Sequence, residues 1–146
     1  MQPRDALQQM PLFRGADPAD LDALAAVVEA NAYGAGEPIF DHEHPADALF
    51  AILIGTVEIA APGKDVPVVS MGSGQAFGEV AFFRRGAHNA SARARETTRV
   101  LRIPFAALDR LLADHPGFAL TFYRNAATDF ARHLGQLAAE RDRPYF

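Results

Sequence analysis

Gly72-Ser73-Gly74-Gln75-Ala76-Phe77-Gly78-Glu79-Val80-Ala81-Phe82-Phe83-Arg84-Arg85-Gly86-Ala87-His88-Asn89-Ala90-Ser91 is the stretch around which the chain is organised. Glycines at 72, 74 and 78 let backbone N–H groups approach a ligand closely, and the apolar residues 80–83 read as one helical turn opening just after Gly78. The first N–H groups of such a turn lack partners inside it and carry partial positive charge, so they favour an anion. Arg84, Arg85, His88, Asn89 and Ser91 follow at once, and one carboxylate, Glu79, stands among these donors. That mixture suits a ligand carrying both a phosphate and a sugar hydroxyl. It equally suits a plain strand-to-turn corner in which Glu79 complements the dipole of a short helix. The spacing is not the dinucleotide fingerprint, because Phe77 takes the place of its last glycine, and no Lys-Ser/Thr pair follows to make a P-loop.

Outward from this stretch, 146 residues that are 49% hydrophobic bound the chain to one globular domain, residues 1–146. Without cysteine there is no disulfide, thiolate nucleophile or Cys-based metal site. No apolar leader opens the chain and no apolar run reaches spanning length, so the expected location is cytoplasmic, away from membranes. The net charge of −4 is unevenly placed: residues 1–75 carry 11 acids against 3 bases, and residues 76–146 carry 7 against 11. The positive half holds the candidate cradle, although Arg93, Arg95 and Arg99 also fit a solvated strand face.

Asp17-Pro18-Ala19-Asp20 starts a helix, with Asp17 as N-cap and Pro18 in its first position, and Leu21, Leu24, Ala25 and Val28 recur at helical spacing. This helix is expected to run on until the glycine-rich turn at Tyr33-Gly34-Ala35-Gly36, with Leu12 and Phe13 docking it on the domain. The period then changes to two. Short strands are expected at 39–40, 48–54, 56–60 and 66–71, and again at 91–95 and 99–103. Such strands, punctuated by Pro45, Gly55, Pro62-Gly63 and Pro67, make a compact barrel or jelly roll. Helices follow over 105–113 and from His115-Pro116 to about Glu140, the second with a stripe of Phe118, Phe122, Ala126, Phe130, Leu134 and Leu137. The expected class is therefore α+β: a β-roll of short antiparallel strands with an N-terminal helix and two C-terminal helices.

In this order of elements the chain resembles the cyclic nucleotide-binding domain family, which includes catabolite-activator-like regulators and the regulatory domains of kinases and ion channels. The resemblance rests on Leu12-Phe13, Gly36-Glu37-Pro38-Ile39-Phe40, Pro45-Ala46-Asp47-Ala48-Leu49-Phe50, Ile54-Gly55-Thr56-Val57 and above all Phe77-Gly78-Glu79-Val80-Ala81-Phe82. It implies a phosphate-binding cassette built from Phe77, Gly78, Glu79, Val80, Ala81, His88, Asn89, Ala90 and Ser91. Gly78 and the N–H groups after it would receive a cyclic phosphate, Glu79 would accept the ribose 2′-hydroxyl, and Asn89 would add amide donors. His133 and Leu134 fall where the last helix would touch the base. The implied ligand is a cyclic nucleotide, cyclic AMP ahead of cyclic GMP.

One departure concerns the ligand directly: His88 stands where the family carries an arginine that pairs with the phosphate, after Ala87 in place of a proline. Guanidinium offers a permanent charge in a planar fork, whereas neutral imidazole offers one donor. A charge-assisted bond contributes about 1.5–3 kcal/mol, so its loss corresponds to roughly ten- to a hundredfold in affinity unless His88 is protonated or Arg84 or Arg85 reaches in. Glu43, where the family turns with glycine, is a departure of loop shape.

Catalysis finds little support: Ser70, Ser73 and Ser91 lack a nucleophile elbow, and His42-Glu43-His44, a bare match to a metal pair, is more often a solvated turn. No recognition helix follows Glu140, so no DNA-binding domain is expected in this chain. Two readings remain, a ligand sensor that signals through the C-terminal helix to a protein partner or a second copy, and a ligand-independent interaction or dimerisation module that also uses the surface around Phe82-Phe83.

Overall fold

The computed structural model describes residues 2–61 and 69–140. Helix α1 (Pro3–Gln9) and a 3-10 turn (Pro11–Phe13) precede α2 (Pro18–Ala25), and strands β1 (Glu29–Tyr33), β2 (Pro38–Phe40), β3 (Ala48–Ile54), β4 (Val57–Ala60), β5 (Val69–Met71) and β6 (Ala76–Phe77) follow. The short helix α3 (Glu79–Arg84) separates these from β7 (Ser91–Ala94) and β8 (Thr98–Pro104), and α4 (Phe105–Asp114) and α5 (Pro116–Glu140) close the chain. The expected turn at Pro62-Gly63, the first part of the 66–71 run with Pro67, and the tail 141–146 lie outside the described residues.

The strands form two four-stranded sheets, β1-β8-β3-β6 and β2-β7-β4-β5, in which every pairing is antiparallel. Period two sorts β3 between two cores. Ala48, Phe50 and Ile52 face the second sheet, and with Phe77 and Val100 of their own sheet they meet Val57 and Ala92 of the other. Leu49 and Ala51 face the helices and join Leu7, Phe13, Leu24, Phe82, Leu108 and Phe122. A strand buried on both faces reads as a continuous apolar run, as Ala48-Leu49-Phe50-Ala51-Ile52 does.

The expected long first helix is corrected: α2 ends at Ala25, and the next residues pair as β1 with β8, from Glu29 opposite Arg102 to Tyr33 opposite Thr98. Val28 continued the helical spacing by chance, because five ladder pairs outweigh local propensity at this sheet edge. Asp17 and Pro18 do take the N-cap and first position, although the Asp17 side chain makes no cap hydrogen bond. Three more short elements went unforeseen: α1, the 3-10 turn and β6.

The stripe on α5 also divides. Phe118, Phe122 and Ala126 are buried, Phe130 is half-buried, and Leu134 and Leu137 are exposed. Phe13 stacks on Phe118 and Phe122 at 5.9 and 5.8 Å, and Asn125 Nδ2 donates to the carbonyls of Leu12 and Arg14, both at 2.9 Å. The first half of α5 is thus clamped to the 3-10 turn, while residues 131–137 are exposed.

Candidate ligand-binding site

The segment that opened the sequence analysis leaves the first sheet at Phe77 and enters the second at Ser91. Register fixes both ends: Phe77 lies opposite Phe50 on β3, and Ser91 lies opposite Ala60 on β4. Phe77 stacks on Phe50 at 5.1 Å, which anchors the residue before the turn. Gly78 then adopts φ 89°, a left-handed conformation that only glycine enters without penalty, and caps α3. The chain reverses there, and the first turn of α3 lies beside a cavity of about 160 Å³ between the sheets.

Phe77, Gly78, Glu79, Val80 and Ala81 line one wall of that cavity, and His88, Asn89 and Ala90 line another. Eight of the expected site residues therefore converge on one space. Ser91 lies just outside it, where its Oγ accepts the His42 backbone N–H at 3.2 Å. His133 and Leu134 are on the exposed face of α5 and do not line the cavity. His133 is close enough to act electrostatically on Glu79, and its Nδ1 lies 3.1 Å from the Asp129 carbonyl. The remaining lining, Phe40, Ile59, Val69, Met71 and Ala76, escaped the sequence reading. Alternation marked all but Ala76 as strand residues, but which strand ends meet around the turn is set by sheet pairing between distant segments.

Glu79 is the unusual group. Its Oε2 is buried with no hydrogen-bond partner among the described residues. Burial raises its pKa above the ordinary carboxylate range, its own backbone N–H and His133 work the other way, and Asp129 on α5 raises it further. An unpaired buried acceptor costs about 1–3 kcal/mol, so a hydroxyl donor placed there would relieve a standing penalty.

His88 is buried, 7% exposed, and its ring lies flat on Phe40 at 3.5 Å between centroids and 7° between planes. Phe40 in turn contacts Phe50 and Phe77, both at 5.9 Å. Burial lowers the His88 pKa; Asp47 opposes that shift and His44 adds to it. Its backbone is held as well, the N–H donating to the His44 carbonyl at 3.1 Å and the carbonyl accepting from Glu43 at 3.0 Å.

Neither nearby arginine replaces the expected cation. Arg84 is exposed. Arg85 makes a bidentate pair with Asp109 of α4, both bonds at 2.6 Å, and its guanidinium sits 4.5 Å from the Phe82 ring centroid. The surface imagined around Phe82-Phe83 is corrected too: Phe82 is 1% exposed, and Phe83 packs on Phe122, Tyr123 and Phe130 of α5, because the helix covers both rings. No set of three metal-ligating side chains comes together among the described residues. None of the described helices is long and apolar enough to cross a membrane.

A two-sheet roll whose glycine-capped turn meets a C-terminal helix defines a class of ligand-binding module. The family model of the cyclic nucleotide-binding domain matches residues 30–115, and the chain belongs to that family. A CRP-like cAMP-activated global transcriptional regulator of Mycobacterium tuberculosis is 27% identical over 137 residues, 92% of this chain and 61% of the regulator. A cyclic nucleotide-gated potassium channel of Mesorhizobium japonicum is 29% identical over 117 residues, 80% of this chain and 32% of the channel. The crystal structure of the Thermus thermophilus catabolite activator protein superposes with a TM-score of 0.76 at 28% identity, covering 90% of this chain and 62% of that one. The chain thus spans less than two thirds of each of these relatives.

Proposed function

We propose that this chain is a cyclic-nucleotide-binding regulatory module, taking cyclic AMP ahead of cyclic GMP and signalling through α5. The observation that carries this reading is the buried Oε2 of Glu79, without a hydrogen-bond partner among the described residues, in a cavity whose other described lining is apolar groups and donors. A ribose hydroxyl satisfies that acceptor. Gly78 and the N–H groups after it receive the cyclic phosphate, with Asn89 adding donors beside it. Ser91 steadies the far end of the cassette through His42. The preference for cyclic AMP leans on relatives named for it.

The route to α5 is mechanical. Glu79 opens α3, and one turn later Phe83 stacks on Phe122 at 5.6 Å and meets Phe130 edge-on at 5.3 Å. A ligand that fixes the first turn of α3 thereby fixes the aromatic contact on α5, shifting the helix toward its docked arrangement. His133 and Leu134, about one turn beyond Phe130 on α5, close toward the base in that arrangement. Hydrogen exchange tests this: saturating cyclic AMP should protect both the 77–91 segment and the helix around His133. Unchanged exchange in both segments contradicts the reading.

A second reading, a ligand-independent dimerisation or protein-interaction module, has its own observation. Leu120, Tyr123, Ala127, Phe130, Leu134 and Leu137 recur at alternating spacings of three and four, and all but the half-buried Phe130 are exposed. That is a coiled-coil seam suited to the same helix of a second copy. Sedimentation of the protein without nucleotide, expected to be dimeric, and of Leu134→Glu/Leu137→Glu, expected to be monomeric, tests the seam.

A further inference from the structure

We propose that His88 is the charge-matching residue of this site, staying neutral while the cavity is empty and taking up one proton together with a singly charged cyclic phosphodiester. The inference rests on the cyclic-nucleotide reading above and adds to it a rule for which phosphates are admitted.

The argument begins with charge. Among the described residues lining the cavity the only carboxylate is Glu79, and neither lysine nor arginine is present; His88 alone can become a cation. Arg85 is committed to Asp109, and Arg102 to Glu29 and Asp47, at 3.0 and 2.9 Å. Among the described residues, an anion entering beside Glu79 therefore meets one side chain able to answer its charge.

Geometry explains why His88 is neutral beforehand. Its ring is sealed face-on against Phe40 in the aromatic layer of Phe50 and Phe77, where an unpaired imidazolium is poorly solvated. The titratable groups facing it are Asp47 before β3, His44 in the preceding turn, and Glu79 across the cavity. Asp47 already shares its carboxylate with Arg102, and His44 opposes a second positive charge. A bound phosphate changes the balance, since an anion within a few ångströms favours the protonated ring. One proton matches one negative charge. A 5′-monophosphate brings a second charge that no described lining residue answers, so the site admits cyclic phosphodiesters ahead of their opened monophosphates.

The test is calorimetric titration of the folded protein with cyclic AMP, cyclic GMP and 5′-AMP at pH 7.5 in two buffers of different ionisation enthalpy. The expected result is uptake of about one proton per cyclic nucleotide bound, an affinity that falls about tenfold per pH unit above pH 7, and at least tenfold weaker binding of 5′-AMP. The ring-nitrogen shifts of His88 should move from neutral to protonated on saturation. His88→Arg should bind without proton uptake and with a flat pH profile. Cyclic-nucleotide binding by the wild type with no proton uptake overturns this proposal and leaves the cyclic-nucleotide reading standing. Failure of both the wild type and His88→Arg to bind either cyclic nucleotide between pH 6 and 8 overturns both.

Discussion

At Glu43 the backbone takes φ 71° in an exposed turn whose N–H donates to the His88 carbonyl. The left-handed conformation costs an L-residue about 1–2 kcal/mol, part of which glycine returns as unfolded-state entropy. Glu43→Gly should therefore raise stability by about 0.5–1 kcal/mol in urea denaturation. At His88 and Glu79 the signs are opposite. His88 is held below its ordinary pKa, so the unfolded chain binds more protons and stability falls as pH drops through about 6.5. Glu79 is held above its ordinary range, so its contribution is present at acid pH and is lost as pH rises through the raised pKa. His88→Phe should flatten the acid-side loss in melts between pH 7 and 5. Glu79→Gln should stabilise the nucleotide-free protein at pH 7.5 while weakening nucleotide binding, a site residue set for its ligand at the expense of stability. The sequence carried part of this: Glu43 was legible as a glycine-type turn, and His88 as the missing arginine. That the imidazole would lie flat on Phe40 was not legible, because the two are 48 positions apart and meet only when pairing of β2 with β7 brings the segment before β7 alongside.

At the scale of elements, the corner at Gly55, where the chain crosses from β3 in one sheet to β4 in the other, and the α3–α5 contact carry the architecture. Gly55 has φ 106°, and a Cβ built there would lie 2.4 Å from Thr98 Oγ1 and 2.7 Å from Thr98 Cα. Thr98 is fully buried and cannot retreat, since its Oγ1 bonds to the Thr56 backbone and donates to the Glu96 carbonyl at 2.8 Å. Gly55→Ala should cost about 2–4 kcal/mol, from combined backbone strain and overpacking, as measured by thermal or urea denaturation. Phe83→Ala addresses the link between cassette and helix. It should cost about 2 kcal/mol through lost packing and leave nucleotide affinity within a few-fold. Ligand-dependent exchange protection around His133 should nevertheless disappear. Equal protection in the variant would show that the signal does not pass through this ring. Most elements were legible because turn residues and period two mark them sharply. β1 was not, because four apolar positions at helical spacing pointed past the real end of α2 and only pairing with β8 reveals the strand.

For the whole molecule, a roll of two sheets positions a turn, the turn positions a short helix, and that helix touches the long one. The convergence of eight expected residues on one cavity followed from a local motif, residues 77–91, which explains why it was readable without a structure. The cavity's apolar remainder depends on contacts between distant strands and was not. Direct calorimetric titration of the folded protein with cyclic AMP and cyclic GMP, with thermal stability followed in parallel, tests the central claim. The account predicts a saturable heat at one site per chain, tighter for cyclic AMP, and a stability gain of about 2.7 kcal/mol when free ligand reaches a hundred times its Kd. No heat and no gain in stability with either nucleotide, from a folded sample, would contradict it and leave α5 as the working surface of the protein.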